Sequence, residues 1–234
     1  MAVVQAVLFD LDDTLVDHQH ASHAAVVGVR NFFVTLQART LEALVVENER
    51  LVEALHTEVG LGQRTAADAR IERYRHLFAF AGATTTHASA AAELHRRIYM
   101  SSRRAVPGAA ALLAALHGRV TIAIVTNNTV AEQTEKLATF GLAPYVDALI
   151  TSEEVGTAKP GPAIFAHALA RCDCPAAGAV MVGDSWRNDV EGAKRAGIRA
   201  LWFNRRGASA PDPAVPSMMS LEPAAALADR ILGQ

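Results

Sequence analysis

Three acids within four positions, Asp10, Asp12 and Asp13 in the run Asp10-Leu11-Asp12-Asp13-Thr14-Leu15, are the strongest chemical signal in this sequence. Carboxylates so close repel one another unless a cation neutralises them, and a hard ion such as Mg²⁺ takes oxygen ligands of this kind. Aspartate is also common in solvated turns and at helix N-termini, so the run alone leaves both uses open. A second acidic pair stands in Gly183-Asp184-Ser185-Trp186-Arg187-Asn188-Asp189, where helix capping is again an alternative. Thr126-Asn127-Asn128 offers a hydroxyl, an amide and backbone N–H groups beside a helix start, suited to cradling a phosphate or to an ordinary turn. Lys159-Pro160 supplies a cation for a phosphate or for the surface.

The elements around these runs set where each of them stands. Five short apolar runs rich in β-branched residues, at 3–9, 120–125, 148–151, 179–182 and 200–203, read as buried parallel strands. Helical stretches at 109–116, 130–140, 162–170 and 190–196 alternate with them, and a closing helix is expected at 224–232. Gly141 and Gly197 stand where helix C-termini need them. Such alternation predicts an α/β fold, a three-layer doubly wound parallel sheet with right-handed crossovers. Residues 17–104 contain no strand-like run. Four stripes with the spacing of one helix face replace it: Val26, Val29, Phe33, Leu36; Leu41, Leu44, Leu51, Leu55; Ile71, Tyr74, Phe78; and Ala91, Leu94, Ile98. The expected division is an α/β core of 1–16 and 105–234 with an all-helical domain of 17–104 inserted after the first strand. Acids at strand carboxyl ends then stand where open α/β sheets bind ligands.

In chain order, the strand-end loops supply D-x-D, T-N, K-P and G-D-S-x-x-x-D. This combination resembles the haloacid dehalogenase-like (HAD) superfamily of phosphohydrolases. The resemblance spans residues 3 to about 206 of the core and extends to Val106-Pro107-Gly108, Gly192-Ala193 and Ala196-Gly197. It implies a Rossmann-like core whose first and fourth strands are neighbours, with the helical insert as a cap of the four-helix type. It further implies Asp10 as the nucleophile that becomes an aspartyl-phosphate, and Asp12 as general acid and then base. Mg²⁺ would be held by the Asp10 and Asp184 carboxylates and the Asp12 backbone carbonyl. Thr126 and Asn127 would bind phosphate oxygens, Lys159 would offset charge, and Asp189 would orient Lys159 and metal-bound water. Asn128 departs from the family's frequent glycine, and Asn tolerates left-handed backbone geometry better than most residues. Gly161 replaces a frequent acid.

Other readings divide by residue. A haloacid dehalogenase on this scaffold typically lacks the second aspartate, so Asp12 favours phosphate; a phosphoglucomutase-type transferase shares the motifs. A receiver domain would place its acceptor Asp between the acidic pair and the Thr, whereas Asp184 follows Lys159. A non-catalytic binding protein has no need of all four motifs. The chain carries 22 basic and 24 acidic residues, a net charge of −2, which gives no basic field for nucleic acid or an anionic membrane. No apolar run is long enough to span a bilayer. No G-x-x-x-x-G-K is present, and Gly60-Leu61-Gly62 follows no strand. Cys172 and Cys174 read as two thiols in a reducing compartment, and the first 15 residues lack a basic leader. The expectation is a cytoplasmic monomer or homodimer acting on small phosphorylated metabolites. Arg64, Arg70, Arg73 and Arg75 in the insert read mostly as a solvated face, from which one could reach an anionic substrate.

Overall fold

The structure, a computed structural model, describes residues 3–60 and 62–233, without the side chains at 56 and 57. Met1, Ala2, Leu61 and Gln234, which fall within expected spans, lie outside the described residues. The chain divides into two units, Met1–Val16 with Ala105–Gln234, and Asp17–Arg104.

In the first unit, β1 (Ala6–Phe9), β2 (Thr121–Thr126), β3 (Ala148–Thr151), β4 (Ala179–Gly183), β5 (Arg199–Phe203) and β6 (Ser217–Met218) form one sheet. Its order is β3-β2-β1-β4-β5-β6, with every pairing parallel. The register sets Phe9 beside both Ile124 and Val182, so the residues after all three strands emerge at one edge. Phe9, Ile124 and Val182 pack on one face with Leu112, Leu113 and Leu116, while Leu8, Val125 and Met181 pack on the other with Ile164 and Phe165. Burial on both faces is why these strands read as continuous apolar runs. The strand β6 escaped the sequence reading. Two residues are too few to show periodicity, yet the Trp202 amide donates to Pro216 O and the Asn204 amide to Met218 O. The first strand is shorter than its apolar run: Val3 is 80% exposed.

The second unit is all-helical, with α1 (His18–Phe32), α2 (Leu41–Gly60), α3 (Ala66–Phe80) and α4 (Ala88–Ser102). Its own core gathers Val26, Val29, Leu44, Leu51, Tyr74, Phe78 and Ala91. The first stripe does not stay on one helix. Phe33 is extended (φ −97°, ψ 92°) and Leu36 lies in a 3₁₀ turn, Val34–Ala38. Phe33 meets Phe78 edge-on at 5.5 Å, and this packing outweighs continuation of the helix. Helices α5 (Ala109–Leu116), α6 (Val130–Thr139), α7 (Ser152–Val155), α8 (Pro162–Arg171), α9 (Gly192–Arg195) and α10 (Ala224–Leu232) complete the first unit.

Candidate active site

Asp10 follows β1, and its amide still donates to Val182 O at 2.9 Å, so the β1–β4 ladder carries the residue into the site. A tight loop follows. Asp13 takes a left-handed conformation (φ 65°) and its amide donates to Val16 O at 2.6 Å, while Val16 N donates to Leu11 O. Aspartate adopts this region more readily than most residues. Asn128, for which the same tolerance was expected to be needed, has no positive φ. It turns its Oδ1 to accept from Thr129 N at 2.8 Å instead.

On the other side of β1, Gly183 ends β4 and Asp184 follows. A wide π-helical turn, Trp186–Glu191, replaces the first part of the helix expected at 190–196. Ser185 Oγ accepts from Asn188 N at 3.2 Å, and Asp189 Oδ2 accepts from Ser185 N at 2.9 Å. This reciprocal capping holds Asp189, 1% exposed, directly beneath Gly183. A Cβ at Gly183 would run into the Asp189 carboxylate. Trp202 Nε1 donates to Asp184 O at 2.8 Å and fixes the loop from β5.

Lys159 joins these pieces. Its Nζ donates to Asp10 Oδ1 at 2.7 Å, Asp189 Oδ1 at 2.7 Å and Val125 O at 2.6 Å. All three ammonium protons are therefore used. The Lys159-Pro160 bond is cis, and Asn127 clamps the backbone there. Asn127 Oδ1 accepts from Lys159 N at 2.6 Å and its Nδ2 donates to Lys159 O at 2.8 Å. Thr14 Oγ1 accepts from Asp184 N at 3.1 Å, and its own proton has Asp10 Oδ2 at 3.3 Å and Asp184 Oδ1 at 3.5 Å as acceptors.

The electrostatics are those of a site short of positive charge. One oxygen from each of Asp10, Asp184 and Asp189 lies within 4.8 Å of the others, and Lys159 is the ammonium among them. With all three carboxylates ionised two negative charges would remain, which is what one divalent cation neutralises. Burial pushes the Asp10 carboxyl up to about 7 against the pull of Lys159, with Asp189 adding to the rise. Burial and the Asp10 and Asp189 charges push Asp184 up to about 9. Burial works against the Lys159 ammonium, yet Asp10 and Asp189 outweigh it and hold Lys159 charged far above neutral pH. A hard cation among these oxygens would relieve the repulsion, so the donor set fits Mg²⁺.

Asp12 lies apart from that cluster. Both its oxygens accept from Lys136 Nζ, at 2.7 and 2.9 Å, and Oδ2 also accepts from Gln133 Nε2 at 3.0 Å. Gln133 Nε2 donates in addition to Thr126 Oγ1 at 2.7 Å. Sequence reasoning singled out neither Gln133 nor Lys136, nor did it give Thr14 a role. The available signal was two polar residues, at 133 and 136, on the buried face of an amphipathic helix.

The family model for haloacid dehalogenase-like hydrolases matches residues 4–197. The chain is 33% identical over 226 residues to a phosphoserine phosphatase of Thermus thermophilus, covering 86% of this chain and 89% of that one. It is 40% identical over 113 residues to the pyrimidine 5′-nucleotidase YjjG of Escherichia coli, a match spanning 48% of this chain and half of that protein's length. A solved 2-haloacid dehalogenase from Pseudomonas syringae pv. Tomato superposes with a TM-score of 0.65 at 26% identity, over 98% of both chains. The chain belongs to the haloacid dehalogenase-like hydrolases.

Proposed function

We propose that this enzyme is a Mg²⁺-dependent phosphatase that cleaves small phosphate monoesters through an aspartyl-phosphate on Asp10. The observation that carries the reading is the convergence of Asp10, Lys159, Asp184 and Asp189 from loops far apart in sequence. Asp10 attacks phosphorus as the bond to the leaving oxygen breaks, and Asp12 protonates that oxygen. Asp12 then takes a proton from the water that attacks the phosphorylated Asp10, releasing inorganic phosphate and restoring the carboxylate. Mg²⁺, held by the Asp10 and Asp184 carboxylates and the Asp12 carbonyl, would supply charge neutralisation at the phosphoryl oxygens. Thr126 would donate its hydroxyl to phosphate. The Asn127 amide is committed to the Lys159 backbone, so that loop would meet phosphate through backbone N–H groups. Lys159 contributes charge, and a direct bond to phosphate would require it to release one acceptor.

Asp12 favours phosphate over halide, because halide departure needs no proton. Phosphatases among the relatives support the same choice. Among the described residues no helix is long and apolar enough to cross a membrane. The free, buried Cys172 and Cys174 agree with a reducing, cytoplasmic setting. The test is a panel of phosphorylated amino acids, sugars and nucleosides assayed with Asp10→Asn as the blank. Phosphate release that stops with a chelator and returns with Mg²⁺ is expected. Undiminished turnover in excess chelator would remove the metal from the reading.

A further inference from the structure

Lys136 is an unusual residue for the inner face of a helix: it is 0% exposed, as is Gln133 one turn before it. Burying an ammonium is costly unless acids and hydrogen bonds surround it. Lys136 Nζ has Glu132 Oε1 at 2.7 Å besides its two contacts with Asp12. Gln133 is as constrained. Its two amide protons go to Asp12 Oδ2 and Thr126 Oγ1. Turning the amide over would set its oxygen against the Asp12 carboxylate, so the neighbours fix its orientation. Gln133 Oε1 is buried and takes no hydrogen bond from another protein group.

We infer that Gln133 and Lys136 are positioning residues that aim the Asp12 carboxylate and the Thr126 hydroxyl together. The inference rests on the phosphatase reading above. Lys136 grips both oxygens of Asp12, and Gln133 adds a second tether to one of them. At the same time Gln133 fills an acceptor site of Thr126 Oγ1, so the hydroxyl proton turns away from the helix and is available to a phosphate oxygen. One helix thus sets the proton-transfer group and a phosphate donor relative to each other. Without these tethers, Asp12, whose side chain is 23% exposed, has rotamers open to it that point elsewhere.

The test compares Lys136→Met, Lys136→Arg and Gln133→Met by steady-state kinetics on an alkyl phosphate, whose leaving oxygen needs a proton, and on an activated aryl phosphate, which does not. Lys136→Met is expected to lower kcat on the alkyl ester by about 10²-fold, within the range of general-acid effects. The loss on the aryl ester should be at least tenfold smaller, and Lys136→Arg should recover much of it. Gln133→Met should add a rise in KM on both esters, because Thr126 loses its orientation. Equal losses on both esters, with no recovery by Lys136→Arg, would mean that the pair only supports the fold and would overturn the inference. A Lys136→Met enzyme that matches the wild type on both esters would overturn it as well. A wild-type protein releasing no phosphate from any ester would instead strike the phosphatase reading, and this inference with it.

Discussion

Asp10 and Asp12 are two residues apart in sequence and sit in different surroundings. Asp10 is buried against Lys159 and Asp189, whereas Asp12 is part-exposed and faces Lys136. On the proposed mechanism, their substitution should separate two half-reactions. Asp10→Asn removes the nucleophile and is expected to abolish turnover of every ester. Asp12→Asn keeps the backbone carbonyl and loses proton transfer, a loss of about 10²–10⁴-fold on esters with basic leaving groups. An activated aryl phosphate should still phosphorylate Asp10, and the intermediate should accumulate because its hydrolysis lacks a base. Rapid-quench kinetics on Asp12→Asn, with no burst and no trapped phosphoenzyme, would refute this division. Gly183 gives a steric test of the same centre. Gly183→Ala forces its methyl into the Asp189 carboxylate, and overpacking of this kind costs about 1–3 kcal/mol. Because Asp189 anchors Lys159, activity should fall further than that stability loss accounts for. Circular dichroism, a thermal melt and kcat on one sample decide it: full activity with a lowered melting temperature would release Asp189 from any such role.

At the scale of elements, α4 carries a buried histidine whose protonation state is dictated by its neighbours. Arg73 Nη2 on α3 donates to His95 Nε2 at 3.0 Å, and a guanidinium can only donate, so Nε2 accepts and Nδ1 carries the proton toward Tyr74 Oη at 2.9 Å. Tyr99 stacks on the ring from the same helix, and His18 on α1 bonds Tyr99 in turn. Burial, then the charges of Arg73, Arg70 and His18, hold His95 well below the usual imidazole range. Unfolded histidine titrates near about 6.5, so below that pH the unfolded chain binds a proton that the folded one refuses. Stability of the helical unit is therefore full above about 6.5 and is lost as pH falls, by up to about 1.4 kcal/mol per unit. Urea unfolding between pH 7.5 and 5.5 should show this loss, and His95→Gln should lose less across the same interval; parallel curves would exclude His95 as the source. The sequence stripes that built α2, α3 and α4 were legible because burial on one face leaves a periodic trace. The site acids were legible because strand ends bring distant loops to one edge. Gln133 and Lys136 were not, since a polar residue on an apolar stripe resembles a boundary residue until its partners, 121 and 124 positions away, are in place. The π-helical turn was hidden for a related reason: Asp189 gains its geometry from Ser185 and Lys159, not from local propensity.

At the scale of the whole molecule, every group assigned to the reaction belongs to the α/β unit, and the helical unit has a core of its own. Arg104, at one end of the helical unit, donates from Nε and Nη2 to Asp17 Oδ2 at the other end, at 3.0 and 2.8 Å, which ties the insert's two ends. The proposed function would divide the labour, with chemistry in one unit and choice of substrate in the other. The helical unit's arginines differ in how far they are already committed. Arg64 pairs with Glu58 and Arg75 with Glu72 at the surface. Arg73 has no carboxylate partner among the described residues, and its Nε is buried without a hydrogen bond. Burial, with Arg70 adding repulsion, lowers it to about 10, and it still carries its charge at neutral pH. A guanidinium in that condition gains most from an incoming anion, since charge-assisted hydrogen bonds are worth about 1.5–3 kcal/mol. If the Arg73 guanidinium meets the substrate, Arg73→Met should lower kcat/KM about ten- to a hundredfold for esters carrying a second acidic group, such as a phosphorylated amino acid. Hydrolysis of a small aryl phosphate should be nearly unchanged, and Arg75→Met, which only breaks a surface pair, should leave the substrate ranking as it was. The measurement is the ratio of kcat/KM for the two substrate types in each variant. A ratio that stays constant in Arg73→Met, while both rates fall together, would place selection in the core loops and leave Arg73 as a structural cation of the helical unit.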